Sequence, residues 1–545
     1  MNYLALNIKS TYWAQGRRLF GAFFLLSLGL RQGLGQSSPA TVTVGSNLQL
    51  FLDQSLIAST AGAQLVQHAP HSGGYALKSE KPWEGDTLYI SSIFRYQGEY
   101  RMLYRGVDKR TDSETYHLCL ATSRDGITWE RPSLGLIDFD GSRDNNIVAD
   151  GNGNRLANCF TFYDPRAETP ADQRVKAFVW SDGKRYYHYS ANRPERQLIV
   201  LGSADGRVFR DFGFKSNLAS QRINAFDGGS IFWSSAEQTF IGYFRWWDEK
   251  PAPHARLLGD WMFPRAGVRS VFRSTSKDLV NWTEEIPMSY GDTPREHFYE
   301  TGTFPYFRAP QLYVALANRF NPGRRALTLA EEHALKIRSV PDSLGVRRLT
   351  FTSDANDLIL LLAKPGGSVY ARPFLEAFMR PGDNLGNWSS RSNYPPQHGG
   401  LWATSATEMS FLVTRQHFQP ANHIERMILR IDGFASMKAP YAGGEFITVP
   451  LIYTGDHLEL NFSTSGAGEV RVEVQDASGK ALPGLALDDC DPVIGDRIAG
   501  RVSWRGRESL SGYVGLPVRL RIKLFDADVY SFRFGAISDL GLGAK

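Results

Sequence analysis

The chain has 545 residues, of which 61 are lysine or arginine and 56 are aspartate or glutamate, giving a formal net charge of +5. Because this charge is nearly balanced and no long run of like charge occurs, the composition gives no support for nucleic-acid binding. A hydrophobic content of 42%, with 12% aromatic residues, excludes a mostly disordered chain. The 12 Trp, 23 Tyr and 33 Phe residues, together with 52 glycines and 27 prolines, indicate aromatic-rich strands with many turns.

The amino terminus has the features of an export signal. Arg17 and Arg18 precede an apolar run at residues 19–30, which ends at Arg31 and is followed by small and polar residues. The run is too short to cross a bilayer as a helix, which requires about 20 apolar residues. We therefore expect residues 1–36 to be a signal peptide, an uncleaved membrane anchor being the alternative. The mature chain is predicted to have no membrane span and to be secreted, periplasmic or at the cell surface.

The cysteines and histidines show no ligand pattern. Cys119, Cys159 and Cys490 lie far apart in the chain and form neither a disulfide framework nor a paired zinc motif. We expect them to be buried as small apolar residues. His297 stands next to Glu296, but the spacings typical of transition-metal sites are missing. The sequence therefore predicts no metal site and no cofactor.

From about residue 42 the chain has the pattern of short strands joined in hairpins. Pairs of apolar, aromatic-rich runs are separated by short polar or proline-containing turns, as in β-hairpins. Such pairs occur at residues 88–95 with 99–105, 231–233 with 239–245, and 303–307 with 311–317. The best candidate for an amphipathic helix is short and covers residues 327–337.

A turn motif recurs along these hairpins. Residues 123–129 read Ser-Arg-Asp-Gly-Ile-Thr-Trp, similar sequences begin at Ser203 and Ser276, and Ser353 starts a degenerate fourth copy. The spacing of about 75–80 residues fits units of roughly four strands, as in the blades of a β-propeller. The Ser and Asp side chains can accept hydrogen bonds from nearby backbone amides, and the aromatic residue can pack into the sheet. We interpret the motif as structural rather than catalytic.

The motif at residues 276–282 and the hairpin repeat resemble the five-bladed β-propeller glycosidases of glycoside hydrolase families 32 and 43. Four further stretches are similar to those of exported family-32-like proteins of environmental bacteria: Leu50-Phe-Leu-Asp, Lys81-Pro-Trp-Glu-Gly, Tyr306-Phe-Arg-Ala-Pro and Ala442-Gly-Gly-Glu-Phe. The similarity extends from about residue 48 to 535. It implies a five-bladed propeller that acts on carbohydrate, although the Asn-Asp-Pro-Asn motif of family 32 is absent.

The pattern changes at about Tyr441. Residues 458–463, 468–475, 501–504 and 518–525 alternate as strands between Gly, Asp and Ser turns, without the repeated motif. This is typical of a β-sandwich, which the resemblance also implies after the propeller. The predicted fold class is all-β, with a five-bladed β-propeller at residues 45–440 and a C-terminal β-sandwich at 441–535. The sandwich would pack against the propeller or bind sugar.

Acidic residues precede the predicted inner strands of the blades. In a propeller the inner strand begins and the second strand ends on the same face, where ligand sites usually lie. The polar residues at these positions are Glu84, Asp86, Asn158, Asp227, Glu296 and Glu300. Converging carboxylates could supply the acid and the base or nucleophile of glycoside hydrolysis, the alternative being that they cap turns. We predict Asp227 with Glu84 or Asp86 as base, nucleophile or stabiliser, and Glu296 or Glu300 as general acid.

Four arginines occupy equivalent positions at the ends of second strands: Arg105, Arg245, Arg319 and Arg415. A guanidinium group suits two-pronged binding of a carboxylate or a sulfate. We predict that these arginines bind an anionic sugar, the alternative being ion pairs with the acidic residues of the same face. Trp246, beside Arg245, could stack on a sugar or pack within the blade.

These patterns together predict a glycoside hydrolase that acts on a polysaccharide or oligosaccharide and prefers an anionic one. A non-catalytic carbohydrate-binding propeller at the cell surface is the alternative, and a phosphorylase is a third option. The expected partner is a carbohydrate and not a nucleic acid.

Overall fold

A computed structural model describes residues 40–108, 115–156, 159–181, 186–187, 197–218, 229–248, 267–337, 339–341, 348–350 and 354–535. The predicted signal peptide and the candidate residues Asn158 and Asp227 lie outside these ranges. Within them the chain is almost entirely β-strand, and no helix is long and apolar enough to cross a membrane. Five sheets, antiparallel except for one short parallel pair in the second, are arranged as the blades of a β-propeller, which confirms the predicted all-β class and the five-bladed propeller.

Each blade is named in chain order of its innermost strand. Blade 1 contains Tyr89–Tyr96, Glu99–Asp108 and Thr115–Ser123. Blade 2 contains Phe160–Tyr163, Val175–Ser181, Tyr186–Tyr187, Gln197–Ser203, Val208–Lys215 and Ala149–Asp150. Blade 3 contains Ser230–Ser234, Thr239–Asp248, Val268–Ser276 and Ile286–Pro287. Blade 4 contains His297–Tyr306, Ala309–Pro322 and Asp354–Ala363, and blade 5 contains Trp402–Ala403, Glu408–Arg415, His423–Arg430 and His71–Lys78. The predicted hairpins therefore form in blades 1, 3 and 4.

Blade 5 closes the ring with strands from two distant parts of the chain. Its outer strand, His71–Lys78, precedes blade 1 in sequence and pairs antiparallel with His423–Arg430. The register places Lys78 opposite His423 and Ser72 opposite Met427. Backbone hydrogen bonds between strands that are hundreds of residues apart thus hold the segment that leads into blade 1 to the last blade.

The C-terminal sheet has ten strands and contains both ends of the described chain. Its long strands His457–Asp476 and Val518–Gly535 pair with each other and alternate buried apolar side chains, as in strands that pack on one face. The other strands are Val42–Gly45, Gln49–Leu50, Ile57–Ala61, Gln64–Gln67, Ala435–Ala439, Gly444–Thr448, Leu451–Tyr453 and Asp496–Arg501. Residues 42–67 thus belong to this sheet. The sequence-based prediction places the chain from residue 45 onward in the propeller. The reason is packing, since the Phe51 ring contacts Phe446 and Phe532 at centroid distances of 5.1 and 5.4 Å.

Helical structure is confined to short segments. The predicted helix forms over Leu329–Ala334, where Thr328 and Glu331 make reciprocal capping hydrogen bonds. The chain also forms single 3₁₀ turns at Ala171–Gln173, Leu385–Trp388 and Ser511–Tyr513, and a small hairpin from Ser339–Pro341 and Arg348–Thr350.

The repeated turn motif follows the third strand of blades 1 to 3. In the first copy the Gly126 amide donates to Ser123 Oγ at 2.8 Å, and the amides of Ile127 and Thr128 both donate to Asp125 Oδ1 at 2.8 Å. These backbone donors lower the pKa of Asp125 to about 2. The residue after the Asp has a left-handed conformation, with φ of 72° at Gly126 and 68° at Leu279. Of the degenerate fourth copy, Ser353 lies outside the described residues, and Asp354 begins a strand of blade 4.

The cysteines are core residues, as predicted. Cys119 and Cys159 lie in the apolar clusters of blades 1 and 2, and Cys490 lies in the core of the C-terminal sheet. All three are buried and form no disulfide. Burial raises the pKa of Cys159 to about 12 and that of Cys490 to about 11, so both thiols stay protonated at neutral pH.

His398 occupies the centre of the ring. Its Nδ1 lies 3.0 Å from the Ser91 carbonyl oxygen of blade 1, and the Ile231 amide of blade 3 donates to its Nε2 at 2.6 Å. The ring also meets Phe160 of blade 2 at a centroid distance of 4.2 Å. One buried imidazole from blade 5 thus contacts the inner strands of three other blades. This arrangement requires the neutral tautomer with hydrogen on Nδ1, and burial lowers the pKa of His398 to about 3.

We expect the folded protein to lose stability as the pH falls below the pKa that His398 has in the unfolded chain. The folded pKa of His398 is about 3, whereas an unfolded histidine titrates near ~6.5. Above about pH 6.5 both states are neutral, and below it only the unfolded state binds the proton. The free energy of unfolding should therefore fall by about 1.4 kcal/mol per pH unit on this account. Urea unfolding at pH 7, 6, 5 and 4 measures it, and a His398→Gln variant should show a shallower slope. The exposed His71→Gln variant is the control, and an unchanged slope in His398→Gln would contradict the assignment.

Asp432 ties blades 4 and 5 to the C-terminal sheet. Its carboxylate is fully buried and accepts hydrogen bonds from Tyr306 Oη at 2.6 Å and Arg308 Nη1 at 2.6 Å. From the C-terminal sheet, Asn461 Nδ2 donates at 3.1 Å and Ser531 Oγ at 2.6 Å. These four donors satisfy the hydrogen-bonding capacity of the buried carboxylate, and its loss would leave the Arg308 charge without its partner.

Replacing Asp432 should destabilise the protein strongly. Asp432→Ala is expected to lower the free energy of unfolding by about 3–5 kcal/mol, because it leaves a partly buried guanidinium and three neutral donors without their acceptor. Asp432→Asn keeps the shape and should cost less. The exposed Asp383→Ala serves as a control expected to change stability by less than ~0.5 kcal/mol. Chemical denaturation followed by tryptophan fluorescence compares the free energies of unfolding of the variants. A difference below about 1 kcal/mol between the two alanine variants, which is about one tenth of a typical total stability, would disprove the structural role of Asp432.

Candidate functional site

The inner and second strands place a common set of residues on one face of the propeller. Tyr89 at the start of an inner strand pairs with Arg105 of the second strand, and Phe298 pairs with Arg319 in the same way. We call this site the mouth. It is defined by the following residues, which the contacts below connect: Asp86, Tyr89, Arg105, Arg245, Arg269, Tyr299, Glu300, Arg391, Tyr394 and Gln397.

Three tyrosines form the aromatic part of the mouth. The Tyr299 ring stacks on Tyr394 at a centroid distance of 5.4 Å, and Tyr394 lies 5.5 Å from Tyr89. Tyr394 is 1% exposed, and its hydroxyl has no hydrogen-bond partner among the described residues. Burial and the neighbouring Tyr89 raise the pKa of Tyr394 well above its usual value. Its hydroxyl is therefore a neutral polar group in an apolar setting, where a ligand oxygen could become its partner.

Four guanidinium groups surround these rings. Arg105 lies over Tyr89 with 4.9 Å between its central carbon and the ring centroid. Arg245, Arg269 and Arg391 lie at 5.6, 4.9 and 5.9 Å from the Tyr299 centroid. They come from blade 1, blade 3 and the segment before blade 5. Four positive charges thus lie close to the rings of Tyr89 and Tyr299, which both contact Tyr394.

Sequence reasoning identified two of these arginines and missed the other two. Arg105 and Arg245 are buried and lie over tyrosine rings of the mouth, and their strands continue for three residues beyond each rather than ending there. Arg269 begins a third strand, and it was missed because only second-strand ends were considered. Arg391 has a left-handed backbone with φ of 60° in an irregular segment, which no local sequence pattern reveals.

Glu300 is the carboxylate best placed within the mouth. It lies inside the inner strand His297–Tyr306 rather than ahead of it, at a register irregularity between Phe298 and Thr301. It is 2% exposed, and Gln397 Nε2 lies 3.5 Å from its Oε1. The charge of Glu300 contributes to the raised pKa of Tyr394, as expected for neighbouring groups. The irregularity explains why an acidic side chain can point into the mouth from the middle of a strand.

Asp86 is a second buried carboxylate near the mouth. It precedes the inner strand of blade 1, is 6% exposed and accepts a hydrogen bond from Thr87 Oγ1 at 2.8 Å. Its carbonyl oxygen accepts from the Phe418 amide at 3.0 Å, and the Phe418 ring lies 5.6 Å from the Arg391 guanidinium. Trp246 is half-buried beside Arg245, on the second strand of blade 3.

Glu84 has the environment of a structural carboxylate. It is fully buried, and Arg131 donates to both of its oxygens at 2.6 and 3.0 Å. Tyr104 Oη adds a third donor at 2.6 Å, and the amides of Glu80 and Lys81 add two more at 3.1 Å. With every acceptor position engaged by the protein, Glu84 is poorly suited to accept or give a proton in a reaction.

Glu296 lies between two arginines at the edge of blade 4. Arg372 Nη2 lies 2.6 Å from its Oε2 and Arg319 Nη1 lies 3.4 Å from its Oε1. Arg319 also donates to both oxygens of Asp357 at 2.8 and 2.6 Å. These contacts match the ion-pair alternative considered for Arg319.

His297 follows Glu296 and is neutral. The Arg269 amide donates to its Nδ1 at 3.2 Å. Burial and the Arg269 charge lower its pKa to about 4. Within the described residues no cluster of three or more His, Cys, Asp or Glu side chains could hold a metal ion.

Arg415 faces away from the tyrosines of the mouth. Its Nε donates to Glu425 Oε2 at 2.6 Å, and its Nη1 donates to Asn393 Oδ1. Its Nη2 lies 3.7 and 3.8 Å from the sulfur atoms of Met379 and Met427. Of the four predicted arginines, the structure thus brings Arg105 and Arg245 to the mouth, and places Arg319 and Arg415 in ion pairs around it.

Comparison with known proteins adds a general likeness. No model of a protein family matches the chain, and no curated protein matches it. Similar solved structures include a putative glycosidase from Bacteroides thetaiotaomicron, which is 14% identical in sequence and has a TM-score of 0.37. The match covers 66% of this chain and 93% of that chain. An exo-inulinase from Aspergillus awamori has 11% identity, 86% and 99% coverage and a TM-score of 0.38. An N-acetylgalactosamine deacetylase from F. plautii has 10% identity, 68% and 96% coverage and a TM-score of 0.36. Likeness at this level assigns neither an activity nor a substrate to this chain.

Proposed function

We propose that the protein is a glycoside hydrolase that binds an anionic carbohydrate at the mouth. The observation that carries this proposal is the meeting of a buried carboxylate, Glu300, with three tyrosines and four arginines from different blades. Aromatic rings offer a face for a sugar ring, and the arginines offer charged donors for a carboxylate or sulfate substituent.

Glu300 is the proposed general acid. A proton donor to the glycosidic oxygen must be in its neutral form, which burial away from water favours and nearby arginines oppose. The side chain of Gln397, 3.5 Å from Oε1, would hold the carboxyl group in orientation. The unpartnered hydroxyl of Tyr394 would donate to or accept from the sugar. Glu296 is the weaker candidate because two arginines already neutralise it.

The second carboxylate of the reaction is proposed to be Asp227 or Asp86. Asp86 is buried ahead of the inner strand of blade 1, and its Oδ1 accepts a hydrogen bond from Thr87 Oγ1 at 2.8 Å. Glu84 is not proposed, because five donors of the protein already engage its carboxylate. Asp227 keeps the role predicted from its place ahead of the inner strand of blade 3. The enzyme would use one of them as base or nucleophile.

Removing the proton donor should abolish turnover. Glu300→Gln is expected to lower kcat on a cleavable glycan by about 10²–10⁴-fold, the usual contribution of a general acid. Substrate binding should change little, since glutamine keeps the shape. The wild-type protein is first screened on a polysaccharide panel, with products identified by mass spectrometry. Glu296→Gln is the matched control and should keep most of the activity. Full activity of Glu300→Gln would refute the role of Glu300 as general acid. Binding of glycans without any product from the wild type would refute the hydrolase assignment.

Binding of an anionic oligosaccharide at the mouth should depend on Arg245 more than on Arg319. Arg245→Lys loses the two-pronged geometry and should weaken binding of a uronate-containing or sulfated oligosaccharide by about tenfold for each 1.4 kcal/mol lost. Arg319→Lys is the control, because Asp357 and Glu296 already engage that guanidinium. Isothermal titration with the native and the carboxyl-reduced or desulfated oligosaccharide measures the difference. Equal affinity for the two oligosaccharides would show that the mouth does not select for charge.

A further inference from the structure

A second large concavity lies outside the mouth. This groove, with a volume of about 970 Å³, lies between blade 5, the segment 374–384 and the edge strand Gln64–Gln67 of the C-terminal sheet. Ligand sites in proteins usually measure about 300–1,000 Å³, so this groove is large enough for more than a single sugar unit. It is formed where strands from the propeller and from the C-terminal sheet run side by side.

The polar lining of the groove is rich in amides and balanced in charge. The side-chain amides are those of Gln64, Gln67, Asn384, Asn387 and Gln416. The charged residues are Arg380 and Arg415 against Glu376, Asp383 and Glu425. Amides can both donate to and accept from hydroxyl groups, and no excess of positive charge is present to select an anion. This chemistry suits a neutral ligand with many hydroxyl groups.

Tyr75 supplies an exposed aromatic ring to the groove. Its side chain is on a strand of blade 5, and the residue is 63% exposed. The ring is nevertheless held in place, because Lys78 Nζ lies 4.3 Å from its centroid and the His423 ring contacts it edge-on at 4.7 Å. A tyrosine ring that is held in place but exposed does not contribute the hydrophobic stabilisation of a buried ring. Such rings are typical of surfaces that bind a partner.

Arg415 has spare donor capacity beside the groove. Its Nε is engaged by Glu425, and its Nη1 by Asn393. Among the described residues its Nη2 contacts only the sulfur atoms of Met379 and Met427, at 3.7 and 3.8 Å. Thioether sulfur is a weak acceptor, so a hydroxyl oxygen would be a better partner for this nitrogen.

We propose that this groove is a second carbohydrate site, which binds a neutral oligosaccharide segment independently of the mouth. Tyr75 would stack on a sugar ring, and Arg380 with the amides would bind hydroxyl groups. The proposal does not depend on hydrolysis, since the groove residues are separate from Glu300 and its neighbours.

Native affinity electrophoresis tests this second site. The protein is run in gels containing increasing concentrations of arabinan, levan, laminarin or arabinogalactan, with polygalacturonate as the anionic probe. The wild type should be retarded by at least one neutral polysaccharide. The Tyr75→Ala/Arg380→Ala double variant should raise the corresponding dissociation constant by about tenfold or more, through loss of stacking and of a charged donor. Both positions are exposed, so the fold should be kept, which circular dichroism verifies.

Two further variants make the result specific. Tyr441→Ala removes a tyrosine that is 67% exposed outside the groove, and it should be retarded like the wild type. Arg245→Lys, which is expected to weaken binding at the mouth, should also be retarded like the wild type, because the mouth is not needed for this binding. The proposal is overturned if no neutral polysaccharide retards the wild type. It is equally overturned if the double variant is retarded as strongly as the wild type, or if Arg245→Lys loses the retardation.

Discussion

The structure depends on closing five blades into a ring whose inner strands contact one another. Hydroxyl groups make these contacts in a repeated way. The Thr161 amide of blade 2 donates to Ser91 Oγ of blade 1 at 3.1 Å, and the Thr303 amide of blade 4 donates to Ser230 Oγ of blade 3 at 3.2 Å. His398 from blade 5 completes the centre. At this point the Ser91 and Ser230 hydroxyl groups and the His398 imidazole each bond a backbone group of a neighbouring blade, so buried backbone groups between the blades are satisfied by side chains.

Ring closure also determines which side chains reach the mouth. Alternate residues of a strand point to opposite faces of its sheet. Two residues that are one position apart therefore direct their side chains to opposite sides of the blade. Arg245 lies in the mouth, whereas Arg415 points into the apolar cluster beneath the groove, beside Met379 and Met427. A bulge shifts this alternation, and Glu300 is brought inward by the irregularity in its own strand. Equivalent positions in sequence are therefore not equivalent in direction.

The limits of prediction from the sequence follow from this geometry. Hairpins, blades and the turn motif depend on local patterns, which is why the five-bladed class and the Ser123 and Ser276 turns could be predicted. The membership of residues 42–67 in the C-terminal sheet could not, because a strand pairing between distant segments has no local signal. The same holds for Glu84, whose five donors come partly from Arg131 and Tyr104. A buried structural carboxylate and a reactive one look alike in sequence until their partners are known.

The two concavities differ in the physical property that would select their ligands. The mouth gathers the charges of Arg105, Arg245, Arg269 and Arg391 around two tyrosine rings. In the groove two arginines face three carboxylates, and amides supply most of the other polar groups. Under the two proposals, a charged substituent would gain most at the mouth, where burial strengthens each charge-assisted hydrogen bond. A neutral stretch of the same polymer would bind in the groove, where its hydroxyl groups would replace water on amides that can both donate and accept. A carbohydrate that carries its charges at intervals along a neutral backbone would satisfy both sites, and the groove would raise the local concentration of its charged units near the mouth.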